Sequence, residues 1–163
     1  MIRVATPDDV PTVLRFVRAL AEYERLAHEV RATEADFRAA LFGPSPRAHA
    51  LLAERDGAAI GFAVWFYDFS TFEGRPGLFV EDVFVEPAHR GAGVGRAIFA
   101  WLARRALQEG CSRMNWSVLD WNAPSIAFYR SIGAVAQDGW TTQRLSGDAL
   151  AALAKERILK APP

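Results

Sequence analysis

Residues 78–95 read LFVEDVFVEPAHRGAGVG, an apolar run holding Glu81-Asp82 in its middle and leading straight into a glycine loop. The run Leu78–Val85 predicts a buried strand. Two carboxylates there are costly unless a partner or a reaction uses them. Gly91, Gly93 and Gly95 then alternate through Arg90-Gly91-Ala92-Gly93-Val94-Gly95, and a helix opens behind them. Alternating glycines let the backbone approach a ligand closely, and the following helix adds partial positive charge, so pyrophosphate is the natural guest. Buried acid, bare amides and helix N-terminus, in that order, describe a phosphate-bearing cofactor held beside a proton acceptor.

Neither familiar nucleotide loop fits. A dinucleotide fold wants its third glycine where Arg96 stands, near the start of a βαβ unit. A P-loop needs a Lys-Ser or Lys-Thr pair at its end, and none is present. The bland alternative is a turn that merely caps a helix; Arg90 and Arg96 flanking the loop favour the phosphate. Neighbours on a strand face opposite ways, so Glu81 and Asp82 share one environment only if the strand is bulged. A carboxylate in a cleft has its pKa raised by desolvation, which suits a general base; ion pairing with nearby arginines is the alternative.

The rest of the chain bounds the answer. At 163 residues, 51% hydrophobic and 23% charged, it reads as a single domain spanning 1–163. Formal net charge is zero, so no global field advertises nucleic acid or an anionic membrane, and phosphate binding must be local. The lone Cys111 excludes an internal disulfide, fits a reducing compartment, and reads as a buried thiol rather than a nucleophile. His28, His49 and His89 lack ligand spacing, so no metal site is expected. The N-terminal MIRVATPDD is not a signal peptide and no apolar run is long enough to span a membrane, so a soluble, cytoplasmic protein is expected.

Periodicity predicts a strand over Ile2–Ala5 and a helix from Thr6-Pro7-Asp8-Asp9 to about Leu26, with Val10, Val13, Leu14, Val17, Leu20 and Ala21 inward. A second helix runs from Thr33, whose Thr33-Glu34-Ala35-Asp36 resembles a capping box, to before Gly43. Strands over Ala48–Glu54 and Ala59–Tyr67 flank the turn Arg55-Asp56-Gly57, and Ser70–Gly77 reads as loop. Helix Gly93–Glu109, strand Arg113–Leu119, helix Asn122–Ser131, a last strand Gly139–Leu145 and a helix from about Asp148 complete the chain. The class is α+β, with helices flanking one mostly antiparallel sheet.

A third segment, VLDWNAPSIAFY over residues 118–129, ends a strand, caps a helix with Asn122 and places Tyr129 two turns on. Together with the loop and the acids it resembles the GNAT N-acetyltransferase superfamily, whose acetyl-CoA loop Arg/Gln-x-x-Gly-x-Gly/Ala is matched in full by residues 90–95. Ala21-Glu22-Tyr23-Glu24, residues 80–85, Asp120-Trp121-Asn122, Pro124-Ser125-Ile126, Phe128-Tyr129 and Gly139-Trp140 further resemble the spermidine/spermine and thialysine N-acetyltransferase family. The resemblance runs in order over nearly the whole chain.

It implies a three-layer fold, its mixed sheet splayed at the acetyl-CoA site. Glu81 would draw the proton from the substrate amine through water, and Tyr129 would protonate the departing CoA thiolate. Phe84, Val85, Arg90, Gly91, Ala92, Gly93, Val94, Gly95 and Arg96 would hold pantetheine and pyrophosphate. Asn122 and Ser125 would line the reactive end, while Glu24 and Asp82 would receive a cationic substrate. The resemblance also implies a homodimer. Ser70-Thr71-Phe72-Glu73-Gly74-Arg75 looks more like the thialysine enzyme than the polyamine enzymes, which lowers the expectation for spermine. The expected activity is acetyl transfer to the primary amine of a small cation, a diamine, polyamine or lysine-like compound. The alternatives are a protein N-terminal or lysine acetyltransferase and a non-catalytic acyl-CoA-binding regulatory module.

Overall fold

A computed structural model describes residues 1–156, which form two compact units, 1–123 and 124 onward. In the first unit the chain runs β1 (Ile2–Val4), α1 (Val10–Tyr23), α2 (Glu34–Phe42), β2 (His49–Arg55), β3 (Ala58–Ser70), β4 (Arg75–Val85), α3 (Val94–Gln108) and β5 (Met114–Trp116). The second unit holds α4 (Ala123–Ser131), which begins at its border, and α5 (Gly147–Leu153). The five strands form one sheet in the order β1-β2-β3-β4-β5, antiparallel except for the parallel pair β4–β5. The mixed, mostly antiparallel α+β class is therefore as expected.

Each face of the sheet is sealed by helices. Val13 and Phe16 of α1 and Leu41 of α2 pack on Ala50, Leu52, Phe62, Val64 and Phe84. On the opposite face, Ile98, Leu102 and Ala106 of α3 pack on Leu51, Ala63, Trp65, Leu78 and Val80. The helical stripe predicted for α1 holds at Val10, Val13, Leu14 and Ala21, and Phe16 joins it with no exposure. Its ring stacks on Phe62 at 5.4 Å.

Several boundaries differ from expectation, each for a local reason. Helix α1 stops at Tyr23 rather than near Leu26, because Arg25 enters the left-handed region at φ 63°. Leu26 N–H then donates to Ala21 O and Arg25 N–H to Glu22 O, the pair of bonds of a Schellman end. Half of the segment Ser70–Gly77 is strand: the β3–β4 ladder continues through Asp68↔Gly77, Phe69↔Pro76 and Ser70↔Arg75, leaving 71–74 as the turn. Strand β5 is three residues long, not seven, since its pairing with β4 ends at Trp116 opposite Val80. No strand forms over Gly139–Leu145; the described part of the second unit offers no strand to complete a ladder there. The expected capping box is present in α2, where Thr33 and Asp36 bond reciprocally, and Asp56-Gly57 turns the β2–β3 hairpin at φ 51° and 78°. Among the described residues no helix is long and apolar enough to cross a membrane.

Candidate active site

The decisive local feature is a bulge in β4. Val64 pairs with Asp82 but the next residue, Trp65, pairs with Val80, so Glu81 is the extra residue on β4. The bulge reverses the phase of the strand. Leu78 and Val80 face α3, whereas beyond the bulge Phe84 faces α1 and Val83 and Val85 join the α3 side. Asp82 therefore shares the α1 face with Phe84, while Glu81 sits exposed at the kink.

On that face Asp82 is pushed up to about 6, first by burial and then by the charges of Glu81 and Glu24. Glu24, at the end of α1, is raised as well, by burial alone. The residues expected to receive a cation, Glu24 and Asp82, are thus brought within electrostatic reach of each other and of Glu81, by helix α1 ending where it does. Three carboxylates so placed attract an ammonium ion and hold a proton acceptor poised near neutrality.

Beside the bulge the sheet opens. β5 covers β4 only from Leu78 to Val80, so, among the described residues, 81–85 have β3 on one side and no strand on the other. Glu86 N–H donates to Ile60 O at 2.9 Å. By alternation the amides of Val83 and Val85 point away from β3, into this opening. They lie outside the β3–β4 ladder, next to the carboxylates. The Phe84 side chain, by contrast, is core, stacked obliquely on Phe16 at 6.1 Å.

The opening leads to the glycine loop. Gly91 and Gly93 have φ 74° and 80°, and a Cβ at either position would meet nothing within 4 Å. Their need for glycine is conformational, and the space in front of them is open. Gly93 is the N-cap of α3, whose first turn carries no acidic residue to compete for the helix N–H groups. Ala92 is exposed and Val94 and Gly95 half-buried at the same mouth. These residues fit a pyrophosphate, since unpaired amides, open space and a helix N-terminus converge on one spot. Arg90 behaves differently from a free cation. Its Nε donates to Val85 O at 2.9 Å, and its guanidinium lies 4.8 Å from the Tyr23 ring and 5.4 Å from the Phe84 ring. It braces the loop against the end of β4. Arg96 is exposed on the first turn of α3.

Tyr23 is a residue the sequence did not mark for a role. Its hydroxyl donates to Asn122 Oδ1 at 3.0 Å, across 99 residues, and its ring carries Arg90 and stacks obliquely on Trp121 at 6.0 Å. Asn122 is buried, 5% exposed. No spacing rule links residues so far apart, so only the fold reveals this tie. Ser125 and Tyr129 lie half-buried on α4, in the second unit, with Tyr129 against Phe128 at 5.5 Å. Cys111 is buried and its thiol is raised, mainly by desolvation, which makes it a poor nucleophile. Among the described residues no three His, Cys, Asp or Glu side chains form a metal-binding group.

The Acetyltransferase (GNAT) family matches residues 15–134 of the chain. The thialysine N-epsilon-acetyltransferase of Bos taurus is 36% identical over 165 residues, covering 94% of this chain and 96% of that protein. The L-ornithine N5-acetyltransferase of Arabidopsis thaliana is 29% identical over 202 residues, covering 96% and 89%. An integron cassette protein from the mobile metagenome of V. cholerae has the same fold, with a TM-score of 0.78, 25% identity and coverage of 96% and 98%. With a bulged acidic strand, an open sheet edge and a glycine loop in this order, the chain belongs to the GNAT family, as an N-acetyltransferase related to the thialysine and polyamine acetyltransferases.

Proposed function

We propose that the chain transfers the acetyl group of acetyl-CoA to the primary amine of a small cation by direct attack in a ternary complex. The observation that carries this reading is the bulge at Glu81, which sets carboxylates beside the open edge of β4 and in line with the glycine loop. The pyrophosphate rests on the amides of residues 91–95, and the pantetheine pairs with the free edge at Val83 and Val85. Glu24 and Asp82 hold the incoming ammonium. Glu81, exposed to water, removes a proton so that the nitrogen lone pair can attack the thioester carbonyl. The C–S bond breaks, and Tyr129 gives its proton to the leaving thiolate. Alignment of amine and thioester supplies much of the rate. The same reading has the chain act as one N-acetyltransferase domain and as a homodimer.

A second reading of the base is favoured by one observation: Asp82, at about 6, already titrates near the working pH. The two are separated by a thiol-release assay over pH 5–9 with acetyl-CoA and a primary amine. If Glu81 is the base, Glu81→Gln lowers kcat by about 100-fold, and Asp82→Asn acts mainly on KM. The reverse pattern transfers the role to Asp82. Tyr129→Phe lowers kcat at pH 7 by about tenfold or more with acetyl-CoA affinity retained; an unaltered kcat removes Tyr129 from the mechanism. No thiol release with any amine would overturn the enzymatic reading and leave a cofactor-binding module.

A further inference from the structure

Two segments diverge at the opening in the sheet. One is the end of β4, residues 81–85, which runs on toward Arg90; the other leaves β5 at Trp116 and is not strand over 117–122. The second segment turns at its end, where Asn122 N–H donates to Leu119 O at 2.8 Å. Tyr23 touches both. Toward β4 its ring lies 4.8 Å from the Arg90 guanidinium, and Arg90 in turn donates from Nε to Val85 O at 2.9 Å and lies 5.4 Å from the Phe84 ring. Toward the other segment its hydroxyl donates to Asn122 Oδ1 at 3.0 Å and its ring meets Trp121 at 6.0 Å. The place of Tyr23 is itself fixed. The Schellman end of α1 pins the backbone from Ala21 to Leu26, and the Arg25 guanidinium lies 5.9 Å from the Trp121 ring. Phe84 is held from behind by Phe16. A rigid ring gripped at both ends is a spacer of set length.

We propose that Tyr23 is a positioning residue for acetyl transfer: it sets the width of the opening by holding Arg90 and the end of β4 on one side and Asn122 on the other. The inference rests on the acetyltransferase reading, which lays the thioester between the two diverging segments and the amine at Glu24 and Asp82. The width then decides how closely nitrogen and carbonyl carbon approach. Attack needs a separation of about 3–3.5 Å, and a misplacement of about 1 Å costs on the order of 100-fold in rate. Tyr23 precedes Glu24 in the chain, so the helix end that offers a carboxylate to the ammonium also gauges the slot for the thioester. Its two contacts are chemically separable. The hydroxyl acts on Asn122, which is 5% exposed, so bulk water does not replace a lost donor. The ring acts on Arg90, and through it on the carbonyl of Val85 and the start of the glycine loop.

The test is a double-mutant cycle read in kcat, by thiol release with acetyl-CoA and a primary amine, alongside CoA affinity from calorimetric titration. Tyr23→Phe keeps the ring and loses the hydroxyl; kcat should fall about tenfold with Kd for CoA unchanged. Tyr23→Leu also removes the aromatic face beside Arg90 and should in addition weaken CoA binding about threefold or more. In an Asn122→Ala background, Tyr23→Phe should lower kcat by less than about twofold, because the partner of the hydroxyl is already gone. An unaltered kcat in Tyr23→Phe overturns the inference. So does an equal loss with and without Asn122, since the hydroxyl would then act elsewhere. If Asn122→Ala does not fold, the split within Tyr23→Phe decides: a lower kcat at unchanged Kd supports the role, and a loss in Kd alone overturns it. These outcomes leave acetyl transfer intact, whereas an unaltered protein that releases no thiol with any amine overturns the acetyltransferase reading and this inference with it.

Discussion

Asp82 shows how one residue couples stability to function. Its rise from an ordinary 3.8 to about 6 means the folded state disfavours the charged form, at a cost of about 3 kcal/mol once ionised. Because the folded pKa is raised, the stabilising contribution of the proton is complete below about pH 4 and is lost as pH rises through about 6. Asparagine stays neutral throughout. Asp82→Asn should therefore raise Tm by roughly 6–12 °C at pH 8 and change it little at pH 4; thermal unfolding at the two pH values checks this. An equal shift at both would mean the gain comes from packing rather than charge. On the proposed mechanism the same substitution should also harm acetyl transfer, so the site would keep a destabilising charge for its chemistry. Glu81 and Asp82 were both visible in the sequence as misplaced acids, but their division into an exposed and a half-buried carboxylate was not, because it depends on one unpaired residue in a ladder.

At the scale of elements, the loop before α3 and the bulge in β4 do different work. Gly93 at φ 80° is the N-cap that turns the chain into α3 with its first amides uncovered. Gly93→Val should cost about 1–2 kcal/mol by forcing a β-branched residue into the left-handed region. It should also weaken acetyl-CoA binding about tenfold or more, since the amides lose their aim. Urea titration and calorimetric titration with CoA measure the two effects. Affinity retained in a folded variant would remove the loop from the cofactor site. This loop, the helix behind it, the α2 capping box and the Asp56-Gly57 hairpin were legible because each is written in consecutive residues. The true lengths of β4 and β5 were not. Strand ends are set by where a partner strand runs out, and Arg75-Pro76-Gly77 joined β4 despite its turn-like composition because β3 continued opposite it.

For the whole molecule, zero net charge leaves the local arrangement of charge to do the recruiting. Acids gather at Glu24 and Asp82 on the α1 face and at Glu81 on the kink beside them, and helix amides gather at the start of α3; on the proposed function, amine and phosphate would be drawn to different places on the first unit. That geometry is held by the two cores on either side of the sheet. Phe62, fully buried and stacked on Phe16, lies on the same face of the sheet as Asp82. Phe62→Ala should cost about 3–5 kcal/mol, read as a lower urea midpoint with an unchanged slope. A loss below about 1 kcal/mol would show that the core repacks freely around the site. By itself the sequence determined the reaction class, the glycine loop, the acidic strand and the apolar faces of the helices, all of which follow from periods and motifs within a few residues. Only the tertiary structure decided that β4 is bulged at Glu81 and that Tyr23 ties Asn122 to Arg90. Register and cross-strand neighbours are properties of pairs of distant segments, and no single stretch of chain contains them.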